Sequence, residues 1–396
     1  MNKTNSLTHI AGTFLIQADA AFLNGAGLGE GEDRTTTVVK TFRDHGNQVP
    51  YVSAQAWKRW LRNTLIAETG WQPSEIRAIG ESERGTTSKI SGELNPIDFA
   101  EDDIFGYMRA EKGQGRKKTV EVEEDEEQEQ QETQSKKTKS LMRSSPFAAS
   151  LLVSTRKKNS DWQGKDEGFV HLKEGTPLPY TTQFYTTNLQ AVFCLAYSRL
   201  GLFWNVGDRL ELDPKLVEKY LDEKRIVERE KVEREENGKK RELGKIYELV
   251  DANTTRKERA GGLLKALAVL RGGAKQAQFG VDVAPKLLIL AGLSGGNPIF
   301  NHLFSDEREK GLTLKIETFK EVITDYGDRI STPIFVGLRK GYLQNENEVY
   351  LLASKYKIES NASTSTKSLV QDANGTIEIK VMTPREAAEA MAGELK

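Results

Sequence analysis

Val49-Pro50-Tyr51-Val52-Ser53-Ala54-Gln55-Ala56-Trp57-Lys58-Arg59-Trp60-Leu61-Arg62 carries the chain from an extended segment into a helix and lays a basic stripe along that helix. Pro50 and Val52 favour extended backbone, and Ser53 can accept a hydrogen bond from the orphan amides of the first helical turn. Ala54, Trp57, Leu61 and Leu65 then recur at helical spacing, which places the helix start at Ser53. On the other side Gln55, Lys58 and Arg62 fall at i, i+3 and i+7, with Arg59 beside them. Cations that begin near the positive end of a helix dipole form a cradle for anions, although a solvated amphipathic helix would show the same stripe.

Upstream, Ile10, Gly12, Phe14 and Ile16 alternate as in a strand, expected over 8–17, which empties into Asn24-Gly25-Ala26-Gly27-Leu28-Gly29. The glycine spacing invites a dinucleotide reading, but no helix follows at once, so a flexible loop that lets backbone approach a ligand fits better. A plain surface turn is the alternative. Downstream, 146–154 reads as a second strand, and 183–188 with 190–197 as a third. Thr255-Arg256-Lys257-Glu258 has the form of a capping box, with Leu263, Leu264, Leu267 and Leu270 on the buried side of the helix it opens and Arg271-Gly272-Gly273 closing it. An apolar strand over 285–293 completes the series.

The order strand, helix, strand, strand, helix, strand gives an α+β fold with a modified RRM-like (ferredoxin-like) core and large insertions. Residues 1–69, 146–205 and 254–300 supply that core. Residues 70–145 form an irregular insertion whose acidic segment, 120–140, has almost nothing to bury and is expected to be disordered. Residues 206–253, rich in alternating Lys, Arg and Glu, read as a charged helical or thumb-like excursion. Residues 301–396 form a C-terminal extension with late strands over 337–353 and 376–381 and a loose connection over 359–374. Its terminal helix opens at Thr383-Pro384-Arg385-Glu386. An RRM-like sheet is a frequent platform for single-stranded RNA, but a fold does not by itself establish a function.

Composition narrows the chemistry. At 396 residues and 37% hydrophobic content the chain can bury a sizeable core. The net charge of -1 hides a basic body: 121–134 holds eight acidic and no basic residues, and without them the total becomes +7. Cys194 is the only cysteine, which excludes an internal disulfide and any zinc site built on two thiolates. His9, His45, His171 and His302 are scattered with no i, i+4 pair, so no metal is expected. The N-terminus imitates a secretory signal only weakly, and no apolar run approaches the length of a membrane span. A cytoplasmic location without membrane contact is the expectation.

The glycine loop, the cations after it and the V-P-Y-V-S-x-Q approach to the helix, in that order, resemble the repeated backbone subunit of type I CRISPR-associated effector complexes (Cascade). This is the Cas-seven or DevR-like family, here of an I-B-like subtype. The resemblance is specific over 8–65, looser over 146–205 and 254–300, and absent from the charged insertions. It implies a non-catalytic protein that polymerises along a CRISPR RNA and presents it for pairing with target DNA. It places Asn24, Gly25, Ser53, Gln55, Lys58, Arg59 and Arg62 along the guide, with Arg34 and Lys40 as upstream grips on its phosphates. Gly272, Gly273 and Lys275 would add a second phosphate contact, for which a plain helix end is an equal reading. The implied partners are the guide, target DNA through it, adjacent copies of the chain, and large, small and guide-end-capping subunits. A complex devoted to guided transposition would add transposition proteins. By the same resemblance, a fingers region lies around 70–180 and a thumb around 205–252. No cofactor is implied.

Two enzymatic readings compete. Related backbone subunits of type III effectors cut target RNA with an aspartate in the loop before the first helix, an interval that here contains Asp33 and Asp44. Gly292-Leu293-Ser294-Gly295-Gly296 matches the nucleophile-elbow pattern of serine hydrolases and follows an apolar strand. Asn297-Pro298 then stands where the helix should begin, and only His302 lies downstream, which disfavours Ser294 as a nucleophile.

Overall fold

A computed structural model describes residues 6–29, 35–75, 77–81, 87–91, 93–109, 141–156, 163–170, 173–236, 239–307, 310–361 and 366–396. The fold is α+β and divides into two compact units. The first comprises 1–72, 146–200 and 253–396; the second comprises 73–145 and 201–252. The acidic segment 120–140 lies outside the described residues.

The first unit is organised by β1 (His9–Ala21). Its neighbours are Leu287–Leu293 on one side and Leu178–Leu195 on the other, both antiparallel, and Leu178–Leu195 is flanked in turn by Phe147–Ala149 and Leu152–Ser154. Numbered along the chain, these core strands stand in the order fourth, first, third, second. Every residue of Leu287–Leu293 is buried, which explains its unbroken apolar run: a strand covered on both faces has no solvent side to mark with polar residues.

On one face Phe14 meets Trp57 edge-on at 5.3 Å, Trp57 meets Phe147 at 5.7 Å, and Phe147 lies 5.5 Å from Phe193. Aromatic pairs of this kind contribute about 0.5–1.5 kcal/mol each beyond their buried area. This is the face carrying helix α1 (Ala54–Thr69), whose Trp57, Leu61 and Leu65 are buried. Gly12 is needed here, because a Cβ would overlap the Phe193 ring. On the opposite face Ala11, Leu15, Ile289, Ala291 and Leu293 pack under Ile299, Phe300, Leu303, Phe319, Ile323 and Leu343 of the C-terminal extension.

Several sequence expectations are corrected. Ala252–Ala268 begins before Thr255, so the capping-box residues sit inside the helix; Asn253, Thr254 and Thr255 are all cap-type residues, and the pattern fits more than one start. The leucines of that helix are buried as read. The strand expected over 337–353 is Ile334–Leu338, after which Gly341 turns the chain into the short helix Glu346–Tyr350. The loose connection over 359–374 is largely strand, Ser354–Asn361 pairing with Thr366–Gln371. Ile316–Tyr326 is a helix that the sequence reading does not assign. The terminal helix Pro384–Gly393 has its capping box formed between Thr383 and Glu386.

The second unit contains a six-stranded sheet. At its centre Arg143, fully buried, ion-pairs with Asp103 and with Glu211 (3.0 Å) and lies 4.8 Å above the Phe203 ring. The helix expected across 213–247 ends at Asp222; the rest is a hairpin of Ile226–Glu236 and Lys239–Leu249. Cross-strand pairs such as Lys245–Glu228 at 2.7 Å and Arg229–Glu248 at 3.2 Å use the charges that a helix would have placed at i, i+4. The sequence signal was Asn237-Gly238, the dipeptide of two-residue hairpin loops.

Candidate nucleic-acid interface

After β1 the chain does not form an open glycine loop. Gly25–Leu28 is a strand, β2, antiparallel to β3 (Thr36–Val39), with a bulge at Gly27. Gly25 pairs with Val39, and a Cβ on it would press on the Phe22 ring, so this glycine serves packing rather than flexibility. Asn24, just before β2, is tied on both sides. Its backbone carbonyl accepts from the Lys40 amide at 2.9 Å, and its carboxamide oxygen accepts from the Ser53 amide at 3.1 Å.

Ser53 caps α1 as the sequence predicts. Its backbone is extended, and its hydroxyl accepts from the Ala56 amide at 3.3 Å. The hairpin of β4 (Thr41–Asp44) and β5 (Asn47–Val52) delivers the chain to that cap. Asn24, Lys40 and Ser53 are therefore brought together by backbone-directed hydrogen bonds, with the first-turn amides of α1 beside them.

Along α1, Gln55 and Arg59 are exposed, and Lys58 and Arg62 are half-buried. Lys58 turns inward: its ammonium donates to the Phe147 carbonyl at 3.0 Å and stands 5.8 Å from the Phe147 ring centre. Burial, and then the nearby Arg62 guanidinium, lower its pKa from the ordinary lysine value. Lys40 is half-exposed, and neither its ammonium nor the Arg59 guanidinium has a hydrogen-bond or ion-pair partner among the described residues. Arg34 lies outside the described residues.

The segment after Ala252–Ala268 closes on the same region. Gly272 and Gly273 adopt φ of 153° and 109°; a Cβ on the first would overlap the Trp60 ring of α1, and one on the second would meet Leu23. Leu23 also accepts from the Ala274 amide at 3.0 Å. Lys275 has left-handed backbone, donates to the Thr182 hydroxyl at 2.6 Å and stands 5.3 Å from the Phe22 ring centre. Phe22 stacks on Phe279 at 6.4 Å, and Phe279 lies 6.1 Å from Phe184.

The segment before β2, the cap of α1 and residues 272–279 thus share one region of the first unit. Exposed amides of a helix start, Gln55, Arg59 and Lys40 offer donors and positive charge with no carboxylate among them, a set suited to phosphate. Sequence reasoning missed Phe22, Phe42, Thr182, Phe184 and Phe279. The alternation Phe42, Val49, Tyr51 about His45-Gly46 could have revealed the first hairpin.

The residues of the competing enzymatic readings lie apart or are otherwise engaged. Asp33 lies outside the described residues. Asp44 sits at the end of β4 with His45 at 3.7 Å. The Ser294 hydroxyl donates to the Arg329 carbonyl at 3.4 Å, and among the described residues no histidine hydrogen-bonds to it. Among them, too, no cluster of three acidic, histidine or cysteine side chains could hold a metal, and no helix is long and apolar enough to cross a membrane.

No family model and no curated protein matches this chain. Among solved structures it is similar to a chain of a "CRISPR RNA-guided surveillance complex", with a TM-score of 0.45 and 12% identity, covering 98% of this chain and 99% of that one. A chain of a "CRISPR RNA-guided surveillance complex, pre-nicking" gives a TM-score of 0.47 and 14% identity, covering 98% of this chain and 100% of that one. A chain from "Cryo-EM structure of the Type III-B Cmr-beta bound to cognate target RNA" gives 0.27 and 13%, covering 50% of each.

Proposed function

We propose that this chain is a CRISPR RNA-binding backbone subunit of a type I surveillance complex. The observation that carries the reading is the lock between Asn24 and Ser53, which joins the segment after β1 to the capped, cation-bearing start of α1. In the proposed role several copies assemble head to tail along one guide, an open heterologous contact. Each copy grips phosphates without reading bases, so any guide sequence is accepted and base pairing with target DNA supplies specificity. The core is a modified RRM-like sheet in this reading, supported by the strand order fourth, first, third, second with all neighbours antiparallel. The large, small and guide-end-capping subunits are its further partners, the cytoplasm its compartment, and its role non-catalytic.

The test is size-exclusion chromatography with light scattering and the 260 to 280 nm absorbance ratio, on protein co-expressed with a CRISPR array and the partner subunits. The expected result is a large, nucleic-acid-rich species with one discrete RNA length. A nucleic-acid-free monomer in the presence of all partners would overturn the proposal.

A further inference from the structure

The exposed aromatic pair on the hairpin before α1 has no task in the phosphate cradle. Phe42 of β4 is 38% exposed, and Tyr51 of β5, half-exposed, holds its ring 5.7 Å from that of Phe42 at 66°. Among the described residues the Tyr51 hydroxyl makes no hydrogen bond.

Pairing registers fix which face of the sheet they occupy. Tyr51 opposes Val153, Val153 opposes Gln190, and Gln190 opposes Leu15. Directly opposed residues share a face, so Tyr51 lies on the face away from α1. Phe42 opposes Val49, two residues before Tyr51, and joins it there. Under β1 and Leu287–Leu293 this face is covered by the C-terminal extension. Around Tyr51 it is open: Val153 and Gln190 are only half-buried, and Leu151 is exposed.

We propose that Tyr51 and Phe42 form a stacking platform for nucleobases of the same single-stranded RNA whose phosphates lie at Ser53. The inference rests on the reading of this chain as an RNA-binding subunit. Two residues of strand separate Tyr51 from the cap, roughly 7 Å, close enough for one nucleotide to touch both. Rings on an open sheet face stack on any base, so the platform adds affinity without sequence preference, as a guide holder requires. Lys40 and Arg43 flank Phe42 in the sequence and supply the positive surroundings that a polyanion needs.

The experiment is fluorescence anisotropy on the full chain with labelled oligouridylate, oligoadenylate and an abasic ribose-phosphate oligomer of equal length, across a series of salt concentrations. Tyr51→Leu is expected to weaken binding of both base-bearing oligomers by roughly 5- to 150-fold. The abasic oligomer should bind as to the parent protein, and the salt slope should not change, since no charge is removed. Tyr51→Phe, which keeps the ring, should bind like the parent. Undiminished binding of base-bearing RNA by Tyr51→Leu, or equal losses for abasic and base-bearing oligomers, overturns the platform. If Arg59→Ala still lowers the slope in that event, the phosphate cradle stands without it. Failure of the parent protein to bind any oligomer overturns both.

Discussion

Asn24→Ala isolates the lock on which the candidate interface depends. The substitution removes one acceptor, the carboxamide oxygen 3.1 Å from the Ser53 amide, and leaves the backbone bond from the Lys40 amide to the Asn24 carbonyl in place. A net hydrogen bond contributes about 0.5–1.5 kcal/mol, and a stranded buried donor costs more. The Ser53 amide is only half-buried, so water replaces part of the loss, and about 1 kcal/mol is the expected local cost. One kcal/mol is roughly fivefold in an opening equilibrium. Hydrogen–deuterium exchange, read on a peptide spanning 50–57, should therefore accelerate about fivefold, while peptides from Leu287–Leu293 stay unchanged. Asn24→Asp keeps an acceptor and places a carboxylate near the positive helix end, so protection should persist or rise while RNA binding falls through charge repulsion. Unchanged exchange in Asn24→Ala would refute the lock. Intact RNA affinity in Asn24→Asp would refute the placement of phosphate there.

Three further outcomes are expected. Arg59→Ala should lower the salt slope of RNA binding by about 0.7, whereas Lys58→Ala, whose ammonium is already held by the Phe147 carbonyl, should lower it by less; titrating anisotropy against KCl separates them. Gly272→Ala must place a Cβ in the Trp60 ring at φ of 153° and should cost about 3 kcal/mol in urea unfolding, whereas Gly27→Ala, with open space around it, should cost only its backbone strain, about 1 kcal/mol. Burial pushes the Cys194 thiol up to about 11 and the Tyr185 phenol further above its ordinary value of 10.0. Both hold protons in the folded state after the unfolded chain has released its own, so their contribution is complete below pH 9 and declines above it; melting followed by circular dichroism from pH 8 to 11 should show the decline, made shallower by Tyr185→Phe.

The core was legible because its signals are local and strong. Val49 to Arg62 announced the strand, cap and helix, and the apolar run after Pro285 announced a strand buried on both faces. The hairpin at 226–249 was not, because Lys, Arg and Glu can satisfy one another at helical or cross-strand spacing, and only its turn dipeptide separates the two. The start of the helix Ala252–Ala268 was ambiguous among several cap-type residues. Within the candidate interface, Ser53 was readable from its own neighbours. Asn24 was marked by its glycine-rich setting, but its contact with Ser53 spans 29 residues and leaves no trace in spacing. Lys58 shows the limit of a helical wheel: a cation on the outer stripe can still fold its long stem inward when a backbone carbonyl lies within reach.

The apolar cover that residues 299–352 lay over one side of the sheet has a practical consequence for anyone shortening this chain. A version cut after Phe300 would retain the four central strands and both helices of the core. It would also turn Leu15, Ile289 and Leu293 toward water across a broad, flat, greasy surface, the kind that drives clumping of newly made protein. The last third of the sequence is accordingly a second shell of the same solid body, and an expression trial should remove a loop from the charged hairpin long before it trims that end.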